Sequence, residues 1–87
     1  MPRDTDLETD LLTFVDRRKR AARTEIVHVF SDYNERKVNQ MIDFLVDDKY
    51  LLPVASDGST VAKLRISSHG ERRMKRLILS RRIGFKH

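Results

Sequence analysis

The sequence predicts a mostly helical α+β fold, in which three helices precede a two-stranded hairpin and a fourth helix follows it. Three observations predict this class. Apolar residues recur at helical spacing through the first half of the chain and again near its C-terminal end. After Lys49 the spacing changes to the alternation that is typical of strands. Between two such alternating runs stand Asp57 and Gly58, a dipeptide that strongly favours a tight hairpin turn.

The length and the charge of the chain narrow the classes of function. Its 87 residues suffice for one modest core, so we interpret residues 1–87 as a single domain. The net charge is +5, but residues 1–16 carry −4 and the remainder therefore carries +9. A basic body of this kind indicates a polyanionic partner, most often nucleic acid. The alternative is a basic protein that has no such partner.

Several other classes are excluded by what the sequence lacks. No run of about 18 apolar residues is present, so we expect no membrane association, and the acidic N-terminal stretch does not resemble a signal peptide. The absence of cysteine excludes a disulfide framework and suits a reducing cytoplasm. The three histidines lack the spacing and the companion carboxylates of a metal site. We therefore predict a cytoplasmic protein that is not an enzyme and has no cofactor and no metal.

The first helix is predicted over residues 5–17. Thr5 and Glu8 have the spacing of a capping box, which stabilises a helix N-terminus. A single apolar stripe follows, formed by Leu7, Leu11, Leu12, Phe14 and Val15. The basic run at residues 17–20 then interrupts this stripe and marks the end of the helix.

The second and third helices are predicted over residues 24–31 and 34–48. Thr24 is the predicted N-cap of the second helix, and residues 31–34 have the composition of a turn. Asn34 is the predicted N-cap of the third helix. The inward face of the third helix is formed by Val38, Met41, Ile42 and Leu45.

The hairpin, or wing, is predicted over residues 50–67, and the C-terminal helix over residues 68–82. In the second strand of the wing, Leu64 and Ile66 alternate with two cations, so one face is apolar and the other basic. Ser67 and Ser68 are both possible N-caps of the C-terminal helix. A short helix, a four-residue turn, a longer helix and a hairpin occur in the order that is typical of a winged helix-turn-helix. The prediction is therefore a three-helix core, a two-stranded wing and a C-terminal helix.

Two segments of the sequence resemble a known family. The passage KVNQMIDFLVDDKYLLPV resembles the recognition-helix-to-wing segment of MarR-like and PadR-like transcriptional regulators. The passage LRISSHG is similar to the Leu-Thr-x-x-Gly segment that follows the wing in those families, with Ser67 in place of the commoner threonine. Tyr50 stands where glycine is frequent. The resemblance implies a DNA-binding regulator that acts as a dimer through its terminal helices.

The outer face of the third helix carries the candidate base-reading residues. Arg can donate two hydrogen bonds to guanine, and Asn or Gln can pair with the edge of adenine in the major groove. The second helix of a helix-turn-helix presents its N-terminal half to the bases. We therefore predict a base-contact set, defined as Arg36, Lys37, Asn39 and Gln40. The alternative is an ordinary polar face that contacts only solvent.

A second group of cations is predicted to contact the DNA backbone. Cations that neutralise phosphates make binding dependent on salt concentration. The candidates follow the first helix or lie on the wing, and we call them the backbone-contact set: Arg17, Arg18, Lys19, Arg20, Arg23, Lys63 and Arg65. For those on the wing, a routine solvent-facing role is the alternative.

The C-terminal helix suggests a homodimer. Once three helices have filled a small core, the apolar residues of a fourth helix need another surface to pack against. We predict a dimer interface at Leu77, Ile78, Leu79 and Ile83, with the helix at residues 5–17 as a further candidate element of that interface. The alternative is that this helix folds back on its own domain. The main alternative function is a winged helix that binds another protein, and RNA binding is a lesser one because the sequence lacks an aromatic platform.

Overall fold

The structure, a computed structural model, describes residues 4–54 and 63–83. For residues 82 and 83 it describes the backbone alone. Four helices and three short strands form in this part of the chain. In chain order they are α1 (Thr5–Arg18), β1 (Ala21–Ala22), α2 (Arg23–Val29), α3 (Glu35–Asp47), β2 (Leu51–Val54), β3 (Lys63–Ile66) and α4 (Ser68–Ile83). The mostly helical α+β winged-helix fold that the sequence predicts is therefore confirmed.

The sheet has three strands, whereas the sequence predicted two. Its order is β1-β3-β2, with both neighbouring pairs antiparallel. Ala22 lies opposite Lys63 on one side of β3, and Leu51 lies opposite Ile66 on the other. Strand β1 contains only two alanines, too few to show an alternating pattern in the sequence. The predicted turn at Asp57 and Gly58 lies outside the described residues.

The core is formed where α1 and α3 pack against α2, the sheet and one side of α4. Most of its side chains are those that the helical and strand patterns predicted. Its larger members are Leu7, Leu11, Leu12, Val15, Ile26, Val38, Met41, Ile42, Leu45, Leu51, Leu64, Ile66, Met74 and Leu77. No helix in residues 4–54 or 63–83 is long and apolar enough to cross a membrane.

The N-termini of α1 and α2 differ from the prediction. The N-cap of α1 is Asp4, whose Oδ1 accepts a hydrogen bond from the Leu7 amide at 3.0 Å, so the predicted capping box at Thr5 and Glu8 is wrong. Helix α2 begins at Arg23, before the predicted cap Thr24. Its N-terminus is stabilised instead by Glu25, whose Oε1 accepts from the Ala22 amide at 3.4 Å.

Ser67 joins the end of α3 to the start of α4. Its hydroxyl accepts a hydrogen bond from the Gly70 amide at 2.9 Å and donates to the Lys49 carbonyl at 2.6 Å. Of the two serines that the sequence offered, Ser67 is thus the N-cap. Gly70 is tightly enclosed here, because a Cβ atom would overlap the Tyr50 carbonyl oxygen and lie 2.8 Å from the Ile66 side chain. Glycine is therefore required at this crossing of backbone segments.

A buried ion pair joins α1 to α4. Glu8 is fully buried, and its two carboxylate oxygens accept hydrogen bonds from Nε and a terminal nitrogen of Arg73 at 2.9 and 3.3 Å. This pairing raises the pKa of Arg73 above its usual value, an effect that burial partly offsets. Near the other end of α4, Arg81 contacts Asp6 and Asp10 at 3.3 and 3.4 Å. Helix α4 therefore packs along α1 of the same chain.

This packing changes the predicted dimer surface. Leu77 is a core residue, and Ile78 is partly buried against that core. The side chain of Leu79 is 57% exposed. The side chain of Ile83 is not among those that the structure describes. Leu77 is therefore not available to a second subunit, and Leu79 is the member of the predicted set that the structure leaves exposed.

Candidate nucleic-acid interface

Helix α3 is oriented by its cap and its apolar face. Asn34 is the N-cap, as predicted, and its Oδ1 accepts a hydrogen bond from the Arg36 amide at 2.8 Å. Val38 and Ile42 are fully buried, which directs the opposite side of the helix toward solvent. Arg36 and Gln40, one turn apart on this outer side, are both exposed.

Two members of the base-contact set have no partner in the described part of the chain. Within residues 4–54 and 63–83, neither the side chain of Arg36 nor that of Gln40 makes a hydrogen bond or an ion pair. Arg36 borders a shallow depression at the N-terminus of α3, which Asn34, Glu35 and Asn39 also line. A guanidinium and an amide thus stand on one helix face with their hydrogen-bonding groups available to a ligand.

Lys37, a third member, is bound to the N-terminus of α1. Its Nζ lies 3.0 Å from Oδ2 of Asp4 and 5.9 Å from the ring centroid of Tyr33. The Leu7 amide, followed by Lys37, lowers the pKa of the Asp4 carboxyl. Burial, with Asp4 nearby, raises the pKa of the Tyr33 phenol. Lys37 would have to leave Asp4 in order to contact a base.

Asn39, the fourth member, is bound to α2 and to its own helix. Its Oδ1 accepts a hydrogen bond from a terminal nitrogen of Arg23 at 3.0 Å, and its Nδ2 donates to the Glu35 carbonyl at 3.1 Å. The other terminal nitrogen of Arg23 lies 2.8 Å from Oδ1 of Asp43. Arg23 belongs to the predicted backbone-contact set, but it lies across the outer face of α3.

The pairing of β1 with β3 brings the rest of the backbone-contact set toward the base of the wing. Because Ala22 lies opposite Lys63, the basic run that precedes β1 is placed beside β3. Lys63 and Arg65 are exposed on the same face of that strand. Arg17, Lys19 and Arg20 are exposed and have no ion pair within the described residues.

Arg18 differs from its neighbours because its charge is already paired. It forms an ion pair with Glu25, and its guanidinium carbon lies 5.6 Å from the ring centroid of Phe14. This contact joins the end of α1 to α2. Of the cations after α1, Arg17, Lys19 and Arg20 are therefore better placed than Arg18 to contact a phosphate.

The sequence did not predict Asp4 as a partner of this surface. An acidic residue one position before a helix that starts with Thr5 is a recognisable cap signal, but its pairing with Lys37 depends on how α1 packs against α3. Within the described residues, no group of three or more His, Asp or Glu side chains could hold a metal ion. The arrangement is that of a polar and basic surface on the outside of α3, with a second basic segment beside the wing.

No protein-family model and no curated protein matches the sequence. Solved structures match the fold: a cysteine-to-serine mutant of MarR from E. coli has a TM-score of 0.72 and 12% identity, covering 91% of this chain and 57% of that one. The same mutant complexed with operator DNA has a TM-score of 0.69 and 13% sequence identity, and the match covers 88% of this chain and 54% of the mutant. A MepR-like protein complexed with pseudoligands has a TM-score of 0.70 and 13% sequence identity, and the match covers 92% of this chain and 61% of that protein. The chain thus has a MarR-like winged-helix fold but spans little more than half the length of these proteins.

Proposed function

We propose that this winged-helix chain binds double-stranded DNA as a transcriptional regulator, with α3 in the major groove. The observation that carries the proposal is the pair of exposed side chains without described partners, Arg36 and Gln40, on the outer face of the second helix of a helix-turn-helix. Two further facts support it. The body of the chain is strongly basic, and a protein of the same fold has been crystallised with operator DNA.

The spacing of these two side chains suits base recognition. Four positions along an α-helix correspond to about 6 Å, and successive base pairs are separated by about 3.4 Å. Arg36 and Gln40 could therefore contact bases about two steps apart. Arg36 would pair with guanine O6 and N7, and Gln40 with adenine N6 and N7. The sequence also predicted Lys37 and Asn39 as base contacts, but each is held by a partner within the chain. The proposal therefore rests base reading on Arg36 and Gln40.

The remaining cations would bind phosphates without reading the sequence. Arg17, Lys19 and Arg20 precede the sheet, and Lys63 and Arg65 lie on the base of the wing. Arg18 and Arg23 were also predicted for this set, but the guanidinium of each is already paired with a carboxylate of the same chain. Each phosphate that is neutralised releases counterions, so the affinity should fall steeply as salt rises.

We also infer that the protein acts as a homodimer through α4, with α1 as the second candidate element of the interface. Leu79 is the exposed apolar residue that supports this, and two subunits would present two copies of α3 to a two-fold symmetric site. Sedimentation should then give a dimer of the 10.2 kDa chain, which Leu79→Glu should convert to a monomer. A wild-type monomer at micromolar concentration would contradict the dimer. A regulator of this kind would work in the cytoplasm, at the nucleoid.

A mobility-shift titration on duplex DNA over a salt series tests the function. Arg36→Ala should weaken binding to the preferred duplex by about 5- to 150-fold and change binding to unrelated duplexes little. The matched control is Arg17→Ala, which removes another exposed arginine without a described partner. It should weaken binding to all duplexes alike and reduce the salt slope by about one. If Arg36→Ala left both affinities unchanged, the base-reading role of α3 would be refuted.

A protein-binding module is the second candidate. The observation that favours it is the exposure of two large apolar side chains on α2 and α3, with Val29 at 47% and Phe44 at 49%. Single exposed apolar side chains are common on protein surfaces, so this function requires both residues to contact the same partner. In that case the titration would show no duplex binding at low salt, and Phe44→Ser would abolish capture of the partner protein while leaving the fold intact.

A further inference from the structure

We propose that Arg23 is a positioning residue for base recognition, which holds the Asn39 amide in one orientation and cancels the charge of Asp43. The inference rests on the proposed function and refines it. It assigns base selection to Arg36 and Gln40, and it removes Asn39 from direct contact with bases.

Arg23 connects the start of α2 to α3 through two hydrogen bonds. Arg23 is the first residue of α2, and its side chain crosses to the outer face of α3. One terminal nitrogen donates to Asn39 Oδ1 at 3.0 Å and the other to Asp43 Oδ1 at 2.8 Å. The planar guanidinium suits this pair of contacts, because its two terminal nitrogens point in fixed directions and so hold both side chains in place.

The second contact of Asn39 fixes its amide from the other side. Its Nδ2 donates to the carbonyl of Glu35, one turn earlier in α3. Reading adenine requires the amide oxygen and the amide nitrogen to face the base together. Here the oxygen faces Arg23 and the nitrogen faces the helix backbone. Asn39 can turn toward a base only if the hydrogen bond from Arg23 is broken.

The contact with Asp43 has an electrostatic consequence. This carboxylate is 62% exposed on the outer side of α3, where it would repel the phosphates that border the major groove. The guanidinium of Arg23 lies 2.8 Å away and carries the opposite charge. The pair therefore presents little net charge to the DNA, and the middle of α3 can approach the groove.

A double-mutant cycle on base preference tests this role. Arg23→Lys keeps the positive charge but replaces the rigid two-nitrogen fork by a single, flexible ammonium, which no longer fixes the Asn39 amide in one orientation. Binding to a library of randomised duplexes should show that Asn39→Ala alone leaves the base preference unchanged. Arg23→Lys should alter the preference at one base-pair position, and adding Asn39→Ala should remove that alteration. The proposal is overturned if Asn39→Ala alone weakens binding to the preferred duplex as much as Gln40→Ala does.

A measurement without DNA separates this inference from the proposed function. The side-chain amide signals of Asn39 in a nitrogen–proton NMR spectrum should shift on Arg23→Lys and stay in place on the control Arg20→Lys. If the signals do not respond to Arg23→Lys, the positioning role fails whether or not the protein binds DNA. If the Asn39 signals shift on Arg23→Lys but the wild type binds no duplex at low salt, the Arg23–Asn39 contact is confirmed. The proposed DNA-binding function then fails, and the role of Arg23 in base recognition fails with it.

Discussion

The buried ion pair between α1 and α4 allows a quantitative prediction. Arg73→Ala removes the guanidinium that bonds both carboxylate oxygens of Glu8. Glu8 is 0% exposed, so water cannot replace the lost donors without opening the packing between the two helices. Breaking a buried pair by removing one partner typically costs about 3–5 kcal/mol. Because the Arg73 side chain is itself 27% exposed, we expect the lower end of that range, about 3 kcal/mol.

The reverse substitution should cost less. Glu8→Ala leaves Arg73 without this carboxylate, but the partly exposed guanidinium can be hydrated where it stands. We expect a loss of about 1–2 kcal/mol, mainly from lost packing and hydrogen bonding. The order of the two effects therefore tests which member of the pair depends on the other.

Urea unfolding followed by circular dichroism measures both losses. With a slope of about 1 kcal/mol per molar urea for a small domain, Arg73→Ala should lower the midpoint by about 3 M. The matched control is Arg72→Ala, which removes an exposed arginine from the same helix and should change the midpoint by less than about 0.5 M. Equal midpoints for Arg73→Ala and Arg72→Ala would refute the reasoning, as would a larger loss for Glu8→Ala than for Arg73→Ala.

Three further predictions concern the caps and the crossing at α4. Gly70→Ala should lower the melting temperature by about 10 °C or more, because the new methyl group overlaps the Tyr50 carbonyl; an unchanged melting temperature would contradict the tight crossing. Ser67→Ala should cost about 1–2 kcal/mol in urea unfolding, and Ser68→Ala next to nothing; similar losses would show that the cap is misassigned. Asp4→Asn keeps a capping side chain but loses the charge that Lys37 stabilises. Since the folded pKa of Asp4 is lowered, its contribution is complete above about pH 4 and is lost as the pH falls further. The variant should therefore be less stable than the wild type by about 0.5–1 kcal/mol at pH 7, and the gap should close toward pH 2, whereas a gap that is constant with pH would contradict the pairing.

The long helices could be predicted because each has an apolar face that the tertiary structure uses as the pattern suggests. Val38, Met41, Ile42 and Leu45 are buried as their spacing indicates, and Asn34 caps α3 as expected. Strand β1 could not be predicted. Two alanines between a basic run and a helix carry no periodic signal, and they become a strand only because β3 lies beside them.

The candidate site was predictable as a helix face but not as a set of contacts. The composition of α3 identified side chains that are able to read bases, and Arg36 and Gln40 are exposed as expected. The side-chain partners of Lys37 and Asn39, Asp4 and Arg23, lie far from them in sequence. Such pairs are set by how helices cross rather than by local pattern, so they appear only when the helices are packed. The same limit applies to Leu77, which an apolar pattern could assign equally to a dimer surface or to the core.

The order of strands in the sheet has a consequence for the folding pathway. Strand β3 can pair with its sequence neighbour β2 early, but β1 precedes both α2 and α3 in the chain and reaches β3 only when these helices have brought the two ends together. The entropy of closing that long loop must be overcome before the pairing of Ala21 with Leu64 adds any stability. We therefore expect the β1–β3 contact to form after the transition state for folding. Substitutions in β1 should accelerate unfolding and leave the folding rate nearly unchanged.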